Sequence, residues 1–369
     1  MKNVSLLIKP SSSLCNMRCK YCFYADEVAN RNIKCYGKMS EAVLETLVKR
    51  AFESAENSVT FSFQGGEPTL VGLDFYKSLI SFQKKYAKRE LVVQNCLQTN
   101  GYIIDDEWAK FLAENRFLVG LSMDGTKEIH DSLRKDSNGF GSYEKVQNAV
   151  RCFQKYGVEF NVLCVVTKQV ALCAEEVYDE LKKYGYIQFI PCLDGLDGEK
   201  RDYSLTPTLY GKFLVKVFER YYADFMNARP VSVRNFDNYV SMILGHQPEN
   251  CAMRGVCTPS FTIEGDGSVY PCDFYVLDEW KMGNVRENSL EEMLESEVAK
   301  RFVQESKNRD ENCLKCKYFC LCRGGCKREW IENKPLKTAH CKAYYEFFDA
   351  SIDKMIYMAK QIQALRSRR

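Results

Sequence analysis

Cysteine is the residue type whose placement carries the most chemistry in this chain. Cys15-Asn-Met-Arg-Cys19-Lys-Tyr-Cys22 sets three sulfurs around one tight loop, at spacings that let them converge. Three thiolates are one short of the four that a cubane iron-sulfur cluster takes from protein, so a cluster held here keeps one iron open to a small molecule. Further along, Gln64-Gly65-Gly66-Glu67-Pro68 joins two glycines, which let backbone approach a ligand closely, to a carboxylate that offers an acceptor for an ammonium. A second group, Cys251, Cys257, Cys272, Cys313, Cys316, Cys320, Cys322, Cys326 and Cys341, can complete two four-thiolate sites with one sulfur over. A zinc ribbon is the competing use of its Cys-x2-Cys knuckle.

These sulfurs read as thiols and metal ligands rather than disulfides. The N-terminus, MKNVSLLIKP, has only three consecutive apolar residues before Lys9 and Pro10, too few for a secretory core. No stretch approaches the about 20 apolar residues of a membrane span. The expected location is therefore the cytoplasm, where thiols stay reduced. Only 3 histidines accompany the 18 cysteines, which favours thiolate clusters over mixed Cys/His sites. With 52 basic against 49 acidic side chains, the net charge of +3 makes no case for a nucleic-acid or membrane partner. Cys35, Cys96, Cys152, Cys164, Cys173 and Cys192 are scattered and read as buried apolar fillers.

The elements that must hold these residues alternate. Strand-like runs at 4–10, 59–64, 91–99, 117–124, 158–167 and 186–194 are rich in β-branched and aromatic residues, and some are apolar almost throughout, as in parallel strands buried on both faces. Amphipathic segments lie near 40–56, 73–88, 105–115, 142–156 and 171–184, and Thr206-Pro207 opens a further helix to about 228. Six βα units predict right-handed crossovers in an open doubly wound sheet or a partial barrel, with ligands at the carboxyl ends of the strands. Both the Cys15–Cys22 loop and the Gly65-Gly66-Glu67 turn fall there. Beyond residue 230 the alternation stops. A helix near 237–245, a hairpin around Asp266-Gly267, a helix over 289–303 and the cysteine-dense segment 313–341 predict a smaller domain that needs metal staples.

The Cys15-x3-Cys19-x2-Cys22 loop, with Tyr21 before its last cysteine, resembles the signature of the radical S-adenosylmethionine enzymes. In that family the open iron binds the amino and carboxylate groups of S-adenosylmethionine (AdoMet), and an electron from the cluster cleaves the sulfonium to give a 5′-deoxyadenosyl radical. The resemblance implies an α/β fold, a partial (β/α)6 TIM-type barrel over 1–232, with Tyr21, Gly65, Gly66, Glu67, Ser122, Arg134 and Leu193 contacting AdoMet. Cys313-x2-Cys316-x5-Cys322-x3-Cys326 followed by Cys341 resembles the SPASM extension and implies two auxiliary 4Fe-4S clusters within 233–369. Their implied ligands interleave: Cys251, Cys257, Cys272 and Cys326 for one, Cys313, Cys316, Cys322 and Cys341 for the other, with Cys320 unassigned.

CNMRCKYCFY, SFQGGEPTL, LQTNG, FLVGLSMDG, VEFNVLCVVT and DGSVYPCDFYVLDEW together resemble the anaerobic sulfatase-maturating enzymes over essentially the whole chain. That resemblance implies oxidation of a Cys or Ser of a sulfatase polypeptide, in a Cys/Ser-x-Pro/Ala-x-Arg type motif, to Cα-formylglycine. It also implies an electron donor such as flavodoxin or ferredoxin, and Asp273 as the base that takes the thiol or hydroxyl proton. The alternative within radical chemistry is a maturase that crosslinks a ribosomal peptide at Cys. Outside it stands a metal-stapled binding or electron-transfer protein.

Overall fold

The computed structural model describes residues 1–87, 90–229, 231–330 and 336–366. They pack as two compact units, one comprising 1–123, 130–161 and 259–302, the other 124–129, 162–258 and 303–369.

In the first unit, strands β1 (Asn3–Ile8), β2 (Ser58–Phe63), β3 (Val92–Thr99) and β4 (Leu118–Ser122) lie side by side in parallel. The register aligns Ile8 with Phe63 and Phe63 with Leu97, so the strands end together and their carboxyl-end loops share one rim. Alternate residues Leu6, Ile8, Phe61, Phe63, Leu97, Val119 and Leu121 are fully buried. The opposite row, Ser62, Gln64, Cys96, Gln98 and Ser122, is polar and only half-buried. The strands are thus buried on one face rather than both: the second face is lined with hydrogen-bonding groups, as a ligand-holding interior requires.

Helix Glu41–Ser54 covers the apolar face with Val43, Leu44, Leu47, Val48 and Phe52, and the Ser40 side chain accepts from the Val43 N–H at 3.3 Å, as the sequence predicts. The expected hairpin forms from β8 (Phe261–Ile263) and β9 (Ser268–Tyr270), and β10 (Gly283–Asn284) extends it antiparallel. The unforeseen feature is that β8 adds to β1 in parallel, Leu6 against Phe261 and Ile8 against Ile263. The hairpin and the strand that leads into the cysteine loop therefore belong to one sheet.

In the second unit, β5 (Phe160–Val166), β6 (Tyr186–Pro191) and β7 (Ser232–Val233) are parallel. Helix Pro207–Met226, capped by Thr206, packs on the long helix Cys341–Arg366. Phe218, Phe236, Tyr239, Phe347 and Phe348 form the aromatic core there, with Phe218 and Phe236 rings edge-to-face at 5.2 Å. Two expected helices, one in the second unit and one that starts in the first, are each split. The 171–184 segment becomes Lys168–Leu172 and Ala174–Leu181, and the 289–303 segment becomes Leu290–Leu294 and Glu297–Lys307. At the second break the Ser296 hydroxyl restarts the helix by accepting from Ala299 N at 3.2 Å. Among the described residues, no helix is long and apolar enough to cross a membrane.

Candidate active site and cluster sites

The cysteine loop leaves β1 at its carboxyl end, and Cys22 is the residue just before helix Phe23–Ala29. Burial pushes the Cys15 thiol up to about 12, and the Glu67, Cys19 and Cys22 charges add to the push, so both other sulfurs lie within electrostatic reach of Cys15. The Met17 N–H points back at the Cys15 sulfur at 3.3 Å. Such a loop is unfavourable for three thiolates alone and fits a cationic group among them.

Gly66 has φ +55°, and a Cβ there would sit 2.4 Å from the Leu14 carbonyl oxygen and 2.7 Å from that of Ser12. The glycine turn is therefore pressed against the cysteine loop, which only glycine permits. The following Glu67 N–H donates to the same Leu14 oxygen at 2.8 Å. The Glu67 carboxylate is engaged within the chain: one oxygen accepts from Thr69 Oγ1 at 2.6 Å and Thr99 Oγ1 at 2.7 Å, the other from Asn100 N at 2.8 Å. These bonds tie the end of β2 to the end of β3. Nearby, Arg134 donates to the Tyr21 hydroxyl at 2.7 Å, and Gln98 donates to the Ser122 hydroxyl at 3.0 Å. Leu193 follows β6 in the second unit and is half-buried.

Asp273 sits just past the β9 strand, 9 % exposed. Its Oδ2 accepts from the Tyr24 hydroxyl at 2.6 Å and from Gln64 Nε2 at 2.9 Å. Its Oδ1 is buried with no hydrogen-bond partner among the described residues. Burial raises its carboxyl above the ordinary range, although the Lys9 charge and the Tyr24 and Gln64 hydrogen bonds oppose this. Burial and the adjacent Asp273 charge hold Tyr24 protonated, so it remains a donor. Tyr24 and Gln64 were not singled out from the sequence. Gln64 was visible as the residue before Gly65, but only the packing of β8 on β1 brings Asp273 across to it.

Beneath this group lies a buried ionic cluster. Lys9 Nζ is 3.3 Å from Glu264 and 3.9 Å from Glu27, Arg31 reaches Glu264 at 2.6 Å, and the ammonium stands 4.7 Å from the centre of the Tyr24 ring. With Asp273, three carboxyls face two cations. Burial raises Glu264, but Lys9 and Arg31 outweigh it and leave the group below its ordinary value. Burial pushes Glu27 from the ordinary 4.5 up to about 8, only partly offset by Lys9. Glu27 thus holds the proton that balances the cluster. Between pH 4.5 and about 8 the folded chain keeps this proton and the unfolded chain does not, so stability falls as pH rises through that window. The limiting slope is about 1.4 kcal/mol per pH unit. In melting curves from pH 5 to pH 8, wild type should lose stability relative to Glu27→Gln, whose neutral amide has nothing to release. Parallel curves would contradict the assignment.

In the second unit, Cys313, Cys316, Cys322 and Cys341 line one cavity of about 280 Å³, whose walls also include the rings of Tyr318, Phe319, Tyr344, Tyr345 and Phe348 and the polar side chains of Asn312 and Lys337. Among the described residues no three His, Cys, Asp or Glu side chains converge as around a single metal ion. The four sulfurs share the walls of one cavity without closing on a single point. Cys320 is exposed and does not line the cavity. Burial raises Cys326, followed by the charges of Glu329, Cys251 and Cys257, which places those three cysteines in electrostatic contact. Burial raises Cys257 as well, opposed only in part by a hydrogen bond from Ser306 and the charges of Lys327 and Arg309. Cys272 belongs to the first unit, where Tyr275 N donates to its carbonyl at 3.0 Å. Of the six scattered cysteines, Cys152, Cys164 and Cys192 are buried as expected, but Cys35 is exposed. It occupies a polar turn, where burial is slight and bonds from Ser13 and Gly37 lower its thiol.

The radical SAM superfamily profile matches residues 10–181, and that of the SPASM iron-sulfur cluster-binding domain matches 251–317. A cysteine-type anaerobic sulfatase-maturating enzyme of Clostridium novyi (strain NT) is 48% identical to this chain, over 98% of the chain and 99% of the relative. The chain belongs to the anaerobic sulfatase-maturating enzymes. It is thus a radical SAM enzyme of the α/β class, with a radical SAM domain and a SPASM domain. A serine-type member from Bacteroides thetaiotaomicron is 31% identical over 98% of this chain and 92% of its own length. The solved structure of native anSMEcpe with bound AdoMet and Cp18Cys peptide matches with TM-score 0.93 at 46% identity, covering 98% of this chain and 99% of that one.

Proposed function

We propose that this enzyme oxidises a Cys side chain in a sulfatase polypeptide to Cα-formylglycine without oxygen, with Asp273 as the base. The observation that carries the reading is the buried, unpartnered Asp273 Oδ1, beside an Oδ2 anchored by Tyr24 and Gln64. Those two donors fix the carboxylate, which leaves one acceptor oxygen to take a proton from a thiol bound within about 3 Å. Its raised affinity for a proton suits that task.

The assigned ligand sets are Cys15, Cys19 and Cys22 for a 4Fe-4S cluster with an open iron, and the two interleaved sets of four for auxiliary clusters. Tyr21, Gly65, Gly66, Ser122, Arg134 and Leu193 are assigned to AdoMet, and Glu67 acts by bracing the loops around it. When bound, these groups supply a 5′-deoxyadenosyl radical for the substrate Cβ hydrogen and a sink for the second electron. The target residue then loses two hydrogens to become a thioaldehyde, which water converts to the aldehyde with release of hydrogen sulfide. The higher identity to a cysteine-type relative than to a serine-type one supports a Cys target. The domains divide at 232/233, the location is cytoplasmic, and a flavodoxin- or ferredoxin-like protein supplies the electron.

A synthetic peptide bearing Cys-x-Pro-x-Arg, turned over anaerobically with reductant and AdoMet, should emerge in mass spectrometry with two hydrogens lost and sulfur replaced by oxygen. A crosslinked peptide that retains its sulfur would replace this reading with peptide crosslinking.

A further inference from the structure

The Cys15–Cys22 loop has little apolar surface to hold it: Met17 is its one fully buried hydrophobic side chain. Its geometry is set by hydrogen bonds from the loop after β4. Arg18 N donates to Lys135 O at 2.7 Å, Lys20 N to Leu133 O at 3.0 Å, and Ser137 N to Asn16 O at 3.1 Å, with Met17 and Asp136 paired antiparallel. Asp136 is the keystone of that loop. Its Oδ1 accepts from Asn138 N and Phe140 N, both at 2.9 Å, which closes the turn, while Oδ2 accepts from the Tyr102 hydroxyl at 2.9 Å. Tyr102 belongs to the loop after β3, where its N–H donates to Asn100 Oδ1 at 2.9 Å. Asn100 in turn donates to Asn16 Oδ1 at 2.9 Å, inside the cysteine loop. The chain of bonds from Asp136 through Tyr102 and Asn100 to Asn16 thus returns to the residue that Ser137 also holds.

We propose that Asp136 is a positioning residue for the three-cysteine loop, latching the loop after β4 through Tyr102 to the loop after β3 so that both grip the cysteines together. The proposal rests on the reading that Cys15, Cys19 and Cys22 hold a cluster. The latch works through geometry rather than charge. An asparagine can replace it, since its Oδ1 accepts from the same two N–H groups and its Nδ2 donates to the Tyr102 oxygen. An alanine cannot.

The test uses the full-length chain, reconstituted anaerobically with iron and sulfide. Asp136→Ala should weaken AdoMet binding about tenfold and diminish the change that AdoMet produces in the electron paramagnetic resonance spectrum of the reduced protein. Asp136→Asn should stay within about twofold of wild type, and Tyr102→Phe should fall between them. Retention of about eight auxiliary irons verifies that Asp136→Ala is folded. Wild-type binding and spectrum in Asp136→Ala would overturn the latch, and so would an Asp136→Asn variant as impaired as the alanine. If wild type itself holds no iron that depends on Cys15, Cys19 and Cys22, it is the cluster reading that fails.

Discussion

Asp273→Asn leaves AdoMet cleavage intact and cuts formylglycine formation by about two to four orders of magnitude. The substitution is isosteric, and an amide oxygen can still accept from Tyr24 and Gln64, which now hold Oδ2 at 2.6 and 2.9 Å. The site therefore keeps its shape. What it loses is the ability to receive a proton: the position of the unpartnered Oδ1 is filled by an amide NH2, which donates toward the substrate sulfur instead of accepting from it. Deprotonation of the thiol is then left to water in a buried site. The ionic cluster below is also disturbed, because one of three carboxyls facing Lys9 and Arg31 becomes neutral. That change removes a like charge that adds to the effect of burial on Glu27, so the variant is expected to fold as well as wild type. Chromatography of 5′-deoxyadenosine alongside mass spectrometry of the peptide measures both halves. The expected result is uncoupling, cofactor consumed without product. Product at the wild-type rate would remove Asp273 from the base role.

Replacing Cys15, Cys19 and Cys22 together by alanine should lower the iron content from about twelve to about eight per chain and abolish 5′-deoxyadenosine formation. The two outcomes separate the loop's three cysteines from the two sets of four. The set lining the cavity of about 280 Å³ lies wholly in the second unit and is untouched by changes in the loop after β1. The fold also survives, since the loop's anchoring bonds from Glu67 N, Lys135 O and Leu133 O involve backbone rather than cysteine side chains. Assembly of the wild-type cluster must expel thiol protons, because burial holds Cys15 near a pKa of about 12 without a metal charge beside it. Iron uptake at this site should accordingly improve as pH rises, which the triple variant cannot show. About four irons with bound zinc in wild type, and no iron in the triple variant, would instead make the auxiliary sites zinc ribbons.

Local patterns in the chain carried the six βα repeats, the Ser40 and Thr206 caps and the hairpin around Asp266-Gly267, because capping, turn chemistry and hydrophobic alternation act over a few residues. The helix breaks near residues 173 and 296 were not legible. Each depends on a short restart in which a local side-chain or backbone bond outcompetes a continuing amphipathic stripe. The half-polar faces of the strands were likewise hidden, since a run of β-branched residues does not reveal which side meets a ligand space.

The sequence by itself determined the material for the chemistry: the number and spacing of the cysteines and the glycine turn that allows backbone to touch backbone. It did so because thiolate spacing and a positive-φ turn are short-range constraints that few other residue choices satisfy. The tertiary structure alone decided the partners. The parallel addition of Phe261–Ile263 to β1 carries Asp273 to Tyr24 and Gln64 across 249 and 209 residues of chain. It also sets Lys9 between Glu27 and Glu264, and fills both oxygens of Glu67 with bonds from the neighbouring strand end. Such contacts between residues far apart in the chain arise from sheet order and register, which no local pattern encodes.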